Sequence, residues 1–184
     1  ISGRWTATGS MLVSQFYSEA TLLPNGHVLV VDEAGDAQLY NPQAGTWRST
    51  GRRSGERYAA TMTLLQDGNV MVAGGALRFD FEPVDSTRTT AIYDLARATW
   101  TASPSLIGPR HEHTATLLPS GKVLVAGGIE WIFRQGSPYV PSYLATSEVF
   151  DPATDSWSAV GSLEGRRAYH SATLLLDGNV LVAG

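Results

Sequence analysis

The 184-residue chain is 43% hydrophobic and 16% charged, which is enough apolar content for a packed core. Its net charge of −4 excludes the concentrated basic surface typical of nucleic-acid-binding proteins, so we expect no nucleic-acid partner. Without cysteine it can form no disulfide, thiolate metal site or cysteine nucleophile, and it has no apolar stretch of the roughly 18 residues that a membrane-spanning helix needs.

The first residues, ISGRW at 1–5, have neither an initiator methionine nor the charged-then-apolar pattern of a signal peptide. We therefore expect that the chain begins partway through a longer protein. The sequence does not determine a compartment, although a secreted, periplasmic or cell-surface location is favoured over the cytoplasm.

One phrase occurs four times along the chain. It reads TLLPNGHVLVVD at 21–32 and recurs in closely similar form at 63–75, 116–128 and 173–184. In every copy a tryptophan precedes the turn glycine by 21 residues, and the pairs are Trp5 and Gly26, Trp47 and Gly68, Trp100 and Gly121, and Trp157 and Gly178. Such a fixed period indicates a repeat architecture with units at about 5–47, 47–100, 100–157 and an incomplete 157–184.

Each unit reads as four short strands, most clearly over residues 110–157. A Thr- and Leu-rich run at 110–118 is followed by the turn Pro-Ser-Gly-Lys and by the apolar run Val-Leu-Val-Ala at 123–126. A third strand is predicted at 147–150, a turn at 151–155 and a fourth strand from Ser156. No helical periodicity is sustained anywhere, so the sequence predicts an all-β chain. Four antiparallel strands per unit form the blade of a β-propeller.

These repeats resemble those of the kelch family, and most closely bacterial kelch repeats. Three features carry the resemblance: a Gly-Gly pair after the second strand at 74–75 and 127–128, an aromatic residue seven positions before the tryptophan, and an arginine seven positions before the Thr-Leu-Leu leucine. The aromatic residues are Tyr40, Tyr93 and Phe150, and the arginines are Arg57, Arg110 and Arg167. The resemblance covers essentially the whole chain and implies a kelch-type propeller, or part of one, without implying a function.

The first repeat departs from the pattern. Val31, Asp32 and Glu33 stand where the other repeats have Ala-Gly-Gly, and Gln15 occupies the arginine position. We therefore expect a different connection between its second and third strands.

All length variation falls between the second and third strands. The distance from the turn glycine to the next tryptophan is 21, then 32, then 36 residues, so the additional residues lie in 76–91 and 129–146. Both segments are rich in aromatic residues and arginine, a composition typical of interfaces. The candidate binding residues are Arg78, Phe79 and Phe81 in the first segment and Trp131, Phe133, Arg134, Tyr139 and Tyr143 in the second. The alternative is that the segments only cover the strand ends.

The repeated arginines and His111 are further ligand candidates. By the resemblance, Arg57, Arg110 and Arg167 point towards the central channel, where guanidinium groups could bind a carboxylate or phosphate. The alternative is that each pairs with carboxylates or carbonyls of the neighbouring blade. His111 and His113 could bind a metal, because residues two apart on a strand point the same way. Zinc needs a third protein ligand, however, and nearby histidines are scarce, so we predict no metal or other cofactor.

Two acidic pairs, Asp80 with Glu82 and Asp32 with Glu33, could form a glycosidase dyad or a calcium site, yet their spacing does not distinguish them from solvated loop charge. No nucleophile-elbow motif is present. Some kelch-like propellers are copper-radical oxidases, but they use a cysteine-linked tyrosine that this chain cannot supply.

The leading hypothesis is a module that binds a protein or a glycan through the face carrying the long connections. The alternative is part of a carbohydrate-active propeller enzyme, a hydrolase, epimerase or oxidase, with catalytic residues partly outside this chain. Residues 4–8 are predicted to supply the outer strand of another blade, and 168–184 two inner strands. The ring is then completed by further blades of a longer chain or by a second copy, or else it closes as a small four-bladed monomer.

Overall fold

The computed structural model of the chain describes residues 3–14, 18–79, 82–131 and 140–184, with residues 78, 79 and 82–84 described through their backbone alone. Throughout these ranges the regular elements are β-strands and no helix occurs. In particular, no helix there has the length and hydropathy to cross a membrane. The all-β prediction is confirmed.

Three four-stranded antiparallel sheets follow one another in the described chain, and we number them as blades in chain order. Blade 1 consists of β1 (Glu19–Leu22), β2 (Val28–Val31), β3 (Asp36–Asn41) and β4 (Thr46–Arg52). Blade 2 consists of β5 (Thr61–Leu64), β6 (Val70–Ala73), β9 (Thr90–Asp94) and β10 (Thr99–Ser103). Blade 3 consists of β11 (Thr114–Leu117), β12 (Val123–Ala126), β15 (Ser147–Asp151) and β16 (Ser156–Val160).

The remaining strands form three smaller sheets. Two lie between the second and third strands of blades 2 and 3, and they consist of β7 (Ala76–Phe79) with β8 (Glu82–Ser86) and of β13 (Ile129–Glu130) with β14 (Ser142–Tyr143). The third, which we call blade 4, consists of β17 (Ser171–Leu174) and β18 (Val180–Ala183).

The hydrophobic core lies between neighbouring blades. Val70 of β6 packs with Leu29 and Tyr93 in a cluster between blades 1 and 2. The next residue, Met71, belongs instead to a cluster between blades 2 and 3 that includes Val123. Because successive side chains of a strand point to opposite faces, a strand buried on both faces must be apolar at every position. This explains the unbroken apolar run in each repeat.

The seven-residue spacing of aromatic and tryptophan follows from strand register. In each blade the third-strand aromatic pairs directly with the tryptophan of the fourth strand across the hairpin. The ring centroids lie 4.9 Å apart for Tyr40 and Trp47, 5.2 Å for Tyr93 and Trp100, and 5.3 Å for Phe150 and Trp157. Such aromatic pairs contribute about 0.5–1.5 kcal/mol each beyond their area burial.

Neighbouring inner strands are linked by a histidine and a threonine. His113, before β11, lies 3.0 Å through its Nε2 atom from the hydroxyl of Thr61 in β5. His170, before β17, makes the same contact at 3.1 Å with Thr114 in β11. Both histidines are buried, so the repeat position predicted for His113 is explained by a contact between blades.

A buried arginine connects the places where strands two and three separate. The Arg57 guanidinium donates to the carbonyls of Gly74 at 3.5 Å and Thr89 at 2.9 Å. Arg110 donates in the same way to Gly127 at 3.0 Å and Thr146 at 2.9 Å. The ends of strands two and three are thus held together by a side chain, whatever the length of chain between them.

In blade 3 the arginine also has a carboxylate partner. Arg110 Nη2 lies 2.6 Å from Glu148 Oε1, and the two side chains are 1% and 4% exposed. The same carboxylate accepts hydrogen bonds from the backbone N–H groups of Ile107 at 2.6 Å and Gly108 at 3.0 Å. The ion pair and the two backbone hydrogen bonds of Glu148 therefore lie within blade 3 and the segment that enters it.

The outer strand predicted at residues 4–8 is wrong, because these residues have no strand pairing and Trp5 is fully exposed. A fourth strand of a blade pairs only with a third strand. Among the described residues, blade 4 consists of a first and a second strand, and neither pairs with residues 4–8.

We predict that Glu148→Ala lowers the free energy of unfolding by about 3–5 kcal/mol, because it leaves a buried guanidinium without its counter-charge. Urea unfolding measures the loss. The matched control is Lys122→Ala, which removes the half-exposed ion pair with Asp151 and should cost less than about 1 kcal/mol. Equal losses in the two variants would contradict the buried pair's importance.

We also predict a loss of stability at acid pH that depends on His113. Burial, with the nearby charge of Arg110, His111 and His170 in that order, lowers the pKa of His113 from 6.5 to about 3. The unfolded chain therefore takes up the proton first, and stability present above about pH 6.5 falls by about 1.4 kcal/mol per pH unit towards pH 3.

The measurement is urea unfolding of the protein and of His113→Gln at several values between pH 8 and 4.5. The difference in unfolding free energy between them should be constant above pH 7 and should shrink below pH 6. Parallel pH profiles over the whole range would show that His113 is not buried in its neutral form.

Candidate functional site

The two long connections leave blades 2 and 3 at the same end of the sheets, and we call this end the insertion face. In the connection of blade 2, β7 pairs antiparallel with β8, and Phe79 pairs with Glu82. In the connection of blade 3, β13 pairs antiparallel with β14, and Ile129 pairs with Tyr143. The sequence analysis did not predict these strands. They form because a backbone that leaves a sheet must still pair its N–H and C=O groups.

Ser86 joins the two insertions. Its backbone N–H donates to the carbonyl of Trp131 at 3.0 Å, and its hydroxyl accepts from the Trp131 N–H at 2.8 Å. The hydroxyl oxygen lies 3.2 Å from the carbonyl of Ile129 and 2.9 Å from His111 Nδ1. The Ser86 hydroxyl has one proton, which it can donate to the carbonyl of Ile129. It can then accept a hydrogen bond from His111 if the proton of the neutral imidazole is on Nδ1.

His111 forms the centre of a ring cluster beneath the insertions. Its imidazole lies edge-on to Tyr58 at 6.1 Å and to Trp131 at 6.0 Å between ring centroids. Burial lowers its pKa to about 4. His111 is therefore neutral near pH 7, and it serves to position the aromatic ring of Trp131 rather than to carry charge.

The metal hypothesis for His111, Glu112 and His113 required an extended strand, and the backbone is not extended. Glu112 has a φ of 51°, which turns the two histidines apart. His111 then contacts Ser86, whereas His113 contacts Thr61. Over the described ranges, no three side chains of histidine, cysteine, aspartate or glutamate come together in a group that could hold a metal ion.

The backbone turn at Glu112 is itself a repeated feature. Ala59 has a φ of 52° and Tyr169 one of 57° at the matching positions of blades 2 and 4. The N–H of Glu112 donates to the carbonyl of Ala59, and the N–H of Tyr169 to that of Glu112, both at 3.2 Å. Non-glycine residues in this left-handed region are uncommon and are concentrated at functional sites. We call these three positions the inner row.

Several apolar side chains of the insertion face are exposed. Tyr143 is 45% exposed, Val140 70% and Tyr169 70%, whereas Trp131 is partly buried. Burial, with the nearby Glu112 and Tyr143, raises the pKa of Tyr169, so the phenol stays protonated near pH 7. These side chains can offer flat aromatic surface and neutral hydroxyl groups to a ligand.

The guanidinium groups of the repeated arginines donate to carbonyls of their own blade rather than of a neighbouring blade. Arg57 and Arg110 are buried against the carbonyls that end strand two and precede strand three. Arg167, half-buried, reaches the carbonyl of Gly184 at 3.4 Å. The local reason is that these carbonyls, which lie where the strands separate, face the start of strand one; those of Thr89 and Thr146 also accept from the N–H groups of Gly74 and Gly127. Arg110 is neutralised by Glu148, and in the described chain Arg57 forms no such ion pair.

A cavity of about 430 Å³ opens beside Arg57 at the base of the blade-2 insertion. Its walls come from the segment entering blade 2, from the insertion and from the third and fourth strands. They include Ser54, Gly55, Leu77, Ala91 and Trp100.

The structure places the other predicted residues as follows. Arg78 and Phe79 lie in β7, paired through their backbones with Pro83 and Glu82. Phe81, Phe133, Arg134, Tyr139 and Asp80 lie outside the described residues. Asp32 is buried and accepts from the N–H of Asp36 at 2.8 Å, which closes the short connection of blade 1. That carboxylate therefore serves a turn.

Sequence reasoning missed Tyr58, Ser86 and Tyr169, because nothing in their spacing marks them. It also missed the position two residues before the third-strand aromatic, occupied by Gln38, Ala91 and Glu148 in successive blades. This variation is visible in the sequence, but its consequence is not, because only the structure shows that Glu148 contacts Arg110 and that Ala91 lines the same cavity as Arg57.

Comparison with known proteins was made by sequence and by fold. No protein-family model matches the chain. The Kelch-like protein terF of Aspergillus terreus is 30% identical over 115 residues, which cover 61% of this chain and 24% of that protein. A fungal alcohol oxidase of the AA5 family, solved in complex with copper, superposes with a TM-score of 0.62 at 18% identity, covering 96% of this chain and 50% of that one.

The chain thus spans about a quarter of the curated relative and half of the solved structure. At this identity the oxidase shows the fold alone. The three four-stranded blades and these two likenesses together show a partial β-propeller, and the curated relative supports kelch-type repeats.

Proposed function

We propose that the chain is a binding module that recognises a protein or a glycan through the insertion face. The observation that carries the proposal is the joining of the two insertions into one surface through Ser86, directly beside the exposed Tyr143. Loops held on a rigid scaffold are where binding residues are concentrated in repeat proteins.

The physical argument rests on preorganisation. The Ser86 and His111 contacts fix the backbone at Trp131 before any ligand arrives, so binding does not have to order it. Tyr143 and Tyr169 add aromatic area with few rotatable bonds. Surfaces of this kind suit sugar rings and the hydrophobic centres of protein interfaces.

The candidate residues Arg78, Phe79, Phe81, Phe133, Arg134 and Tyr139 belong to the same proposal, because they occur in the two insertions. Extension of the ring by further blades or by a second copy is also part of it. Leu181 of blade 4 is 56% exposed, whereas Met71 at the equivalent position of blade 2 is 1% exposed between two blades. The bacterial and extracellular assignments stay predictions.

The alternative is that the chain forms part of a carbohydrate-active propeller enzyme. Its support is the fold shared with the AA5 alcohol oxidase, which at 18% identity does not extend to chemistry. An enzyme would place a reactive group in the channel, near the inner row. Turnover of an alcohol or a sugar by the complete protein, lost on changing inner-row residues, would favour this alternative.

We predict that replacing Tyr143 and Tyr169 together by alanine weakens binding to a glycan or protein ligand at least about tenfold, because each buried aromatic contributes more than 1 kcal/mol at an interface centre. The measurement is binding of the labelled chain to a glycan array and to a displayed protein library, followed by titration of each ligand found.

The matched control is Leu176→Ala. Leu176 is fully exposed in the turn between β17 and β18, at the opposite end of the blades from the insertions. Ligands that bind the double variant as tightly as the unchanged chain, at equal melting temperature, would place recognition elsewhere.

A further inference from the structure

Blades 1 and 3 fill one position with a side-chain oxygen, and blade 2 does not. The position lies two residues before the third-strand aromatic. In blade 3, Glu148 accepts from the N–H of Ile107 at 2.6 Å, and in blade 1, Gln38 accepts from the equivalent N–H of Leu12 at 2.8 Å. Blade 2 has Ala91 there, and its methyl group can accept no hydrogen bond.

The groups that hold the oxygen in blade 3 have counterparts in blade 2. Arg57 is anchored like Arg110, through one nitrogen to two carbonyls, but no described group receives a hydrogen bond from its Nη2. The N–H of Ser54 corresponds to that of Ile107 and likewise donates to no group in the described chain. Ser54, Arg57 and Ala91 all line the 430 Å³ cavity.

A third donor has also lost its acceptor at this cavity. Trp47 donates its indole N–H to the carbonyl of Gly9, and Trp157 to that of Pro104, both at 2.8 Å. The Trp100 N–H is buried without a described partner, although Trp100 lines the cavity. Blade 2 therefore combines a space, a buried cation and unused donors.

The charged residues that line the cavity are the buried Arg57 and the exposed Arg52 and Glu56. Burial lowers the pKa of Arg57 to about 10. Burial and Arg57 lower the pKa of Arg53 to about 9, while Asp32 opposes them. At the rim Arg52 pairs with Asp36 at 3.5 Å, and Glu56 is exposed. Arg53 lies outside the lining of this cavity and beside Asp32, so the buried charge that favours an anion in the cavity is that of Arg57.

We propose that this cavity is a binding site for a small organic carboxylate, whose carboxylate group contacts Arg57 in the place that Glu148 takes beside Arg110. The cavity is much larger than a carboxylate and falls in the size range of small-molecule sites. The body of the ligand packs against Leu77 and Trp100. The site is independent of protein or glycan recognition by the insertion face.

The test uses propionate, which has the two carbons and the carboxylate of a glutamate side chain, and the neutral propionamide as its isosteric control. Titration of the isotopically labelled chain is followed by NMR. Propionate should shift the signals of Ser54, Gly55 and the Trp100 indole saturably, and it should bind about tenfold or more tightly than propionamide. Equal affinities for the two probes would overturn the proposal.

Ala91→Glu supplies the carboxylate from the chain itself, and Ala91→Gln is its uncharged control. The glutamate variant should melt at a higher temperature than the glutamine variant and should no longer bind propionate. A glutamate variant that melts at the same or a lower temperature than the glutamine variant contradicts a site built for a carboxylate.

A second pair of variants keeps the proposal testable if position 91 does not accept a longer side chain. Arg57→Gln removes the guanidinium charge and should weaken propionate binding about tenfold or more, whereas Glu56→Gln should leave it unchanged or tighter. If Glu56→Gln alone creates propionate binding, Glu56 occupies Arg57 in the unchanged chain and the proposal fails.

Discussion

The guanidinium of the repeated arginine holds together a place where each blade would otherwise open. Strands two and three separate at the Gly-Gly pair. There the N–H of the first glycine still donates to the last carbonyl before strand three, from Gly74 to Thr89 and from Gly127 to Thr146, both at 3.1 Å, while the carbonyl of that glycine accepts from the arginine. Arg57 and Arg110 reach both carbonyls at once. Because this contact bypasses the intervening chain, insertions of different length can enter there without weakening the blade. The insertion face and the cavity of blade 2 both depend on this arrangement.

The sequence predicted the repeated part of the fold well. The strand at 123–126, the turns with glycine and the pairing of aromatic with tryptophan follow from local pattern and from contacts that recur in every blade. The positions and order of the inner strands can be predicted from the period of the repeat alone. Residues 4–8 were the exception, because a strand forms only when a neighbouring edge is available.

The candidate site was predicted less completely, for reasons that differ between residues. The composition of 76–91 and 129–146 singled out two segments that leave the blades at the same end. It did not predict the strand pairs within them or the contacts of Ser86, since contacts between two insertions have no sequence period. The arginines were expected either to face the channel or to pair with a neighbouring blade, and their guanidinium groups instead reach carbonyls of their own blade. Arg57 and Arg110 differ further in a way that depends on Ala91 and Glu148. Blade 3 has an ion pair between Arg110 and Glu148, whereas blade 2 has Ala91 and an open cavity beside Arg57.

In the inner row the backbone conformation is the same in each blade, whereas the side chains differ. Ala59, Glu112 and Tyr169 share one left-handed conformation and a chain of hydrogen bonds from blade to blade, so the repeat fixes their geometry. Their side chains are nevertheless a methyl group, a carboxylate and a phenol. New chemistry can therefore be introduced at these positions by single substitutions, without redesign of the fold. The row offers a ready place for directed evolution, where chosen groups can be arranged around one axis at a spacing already set by the scaffold.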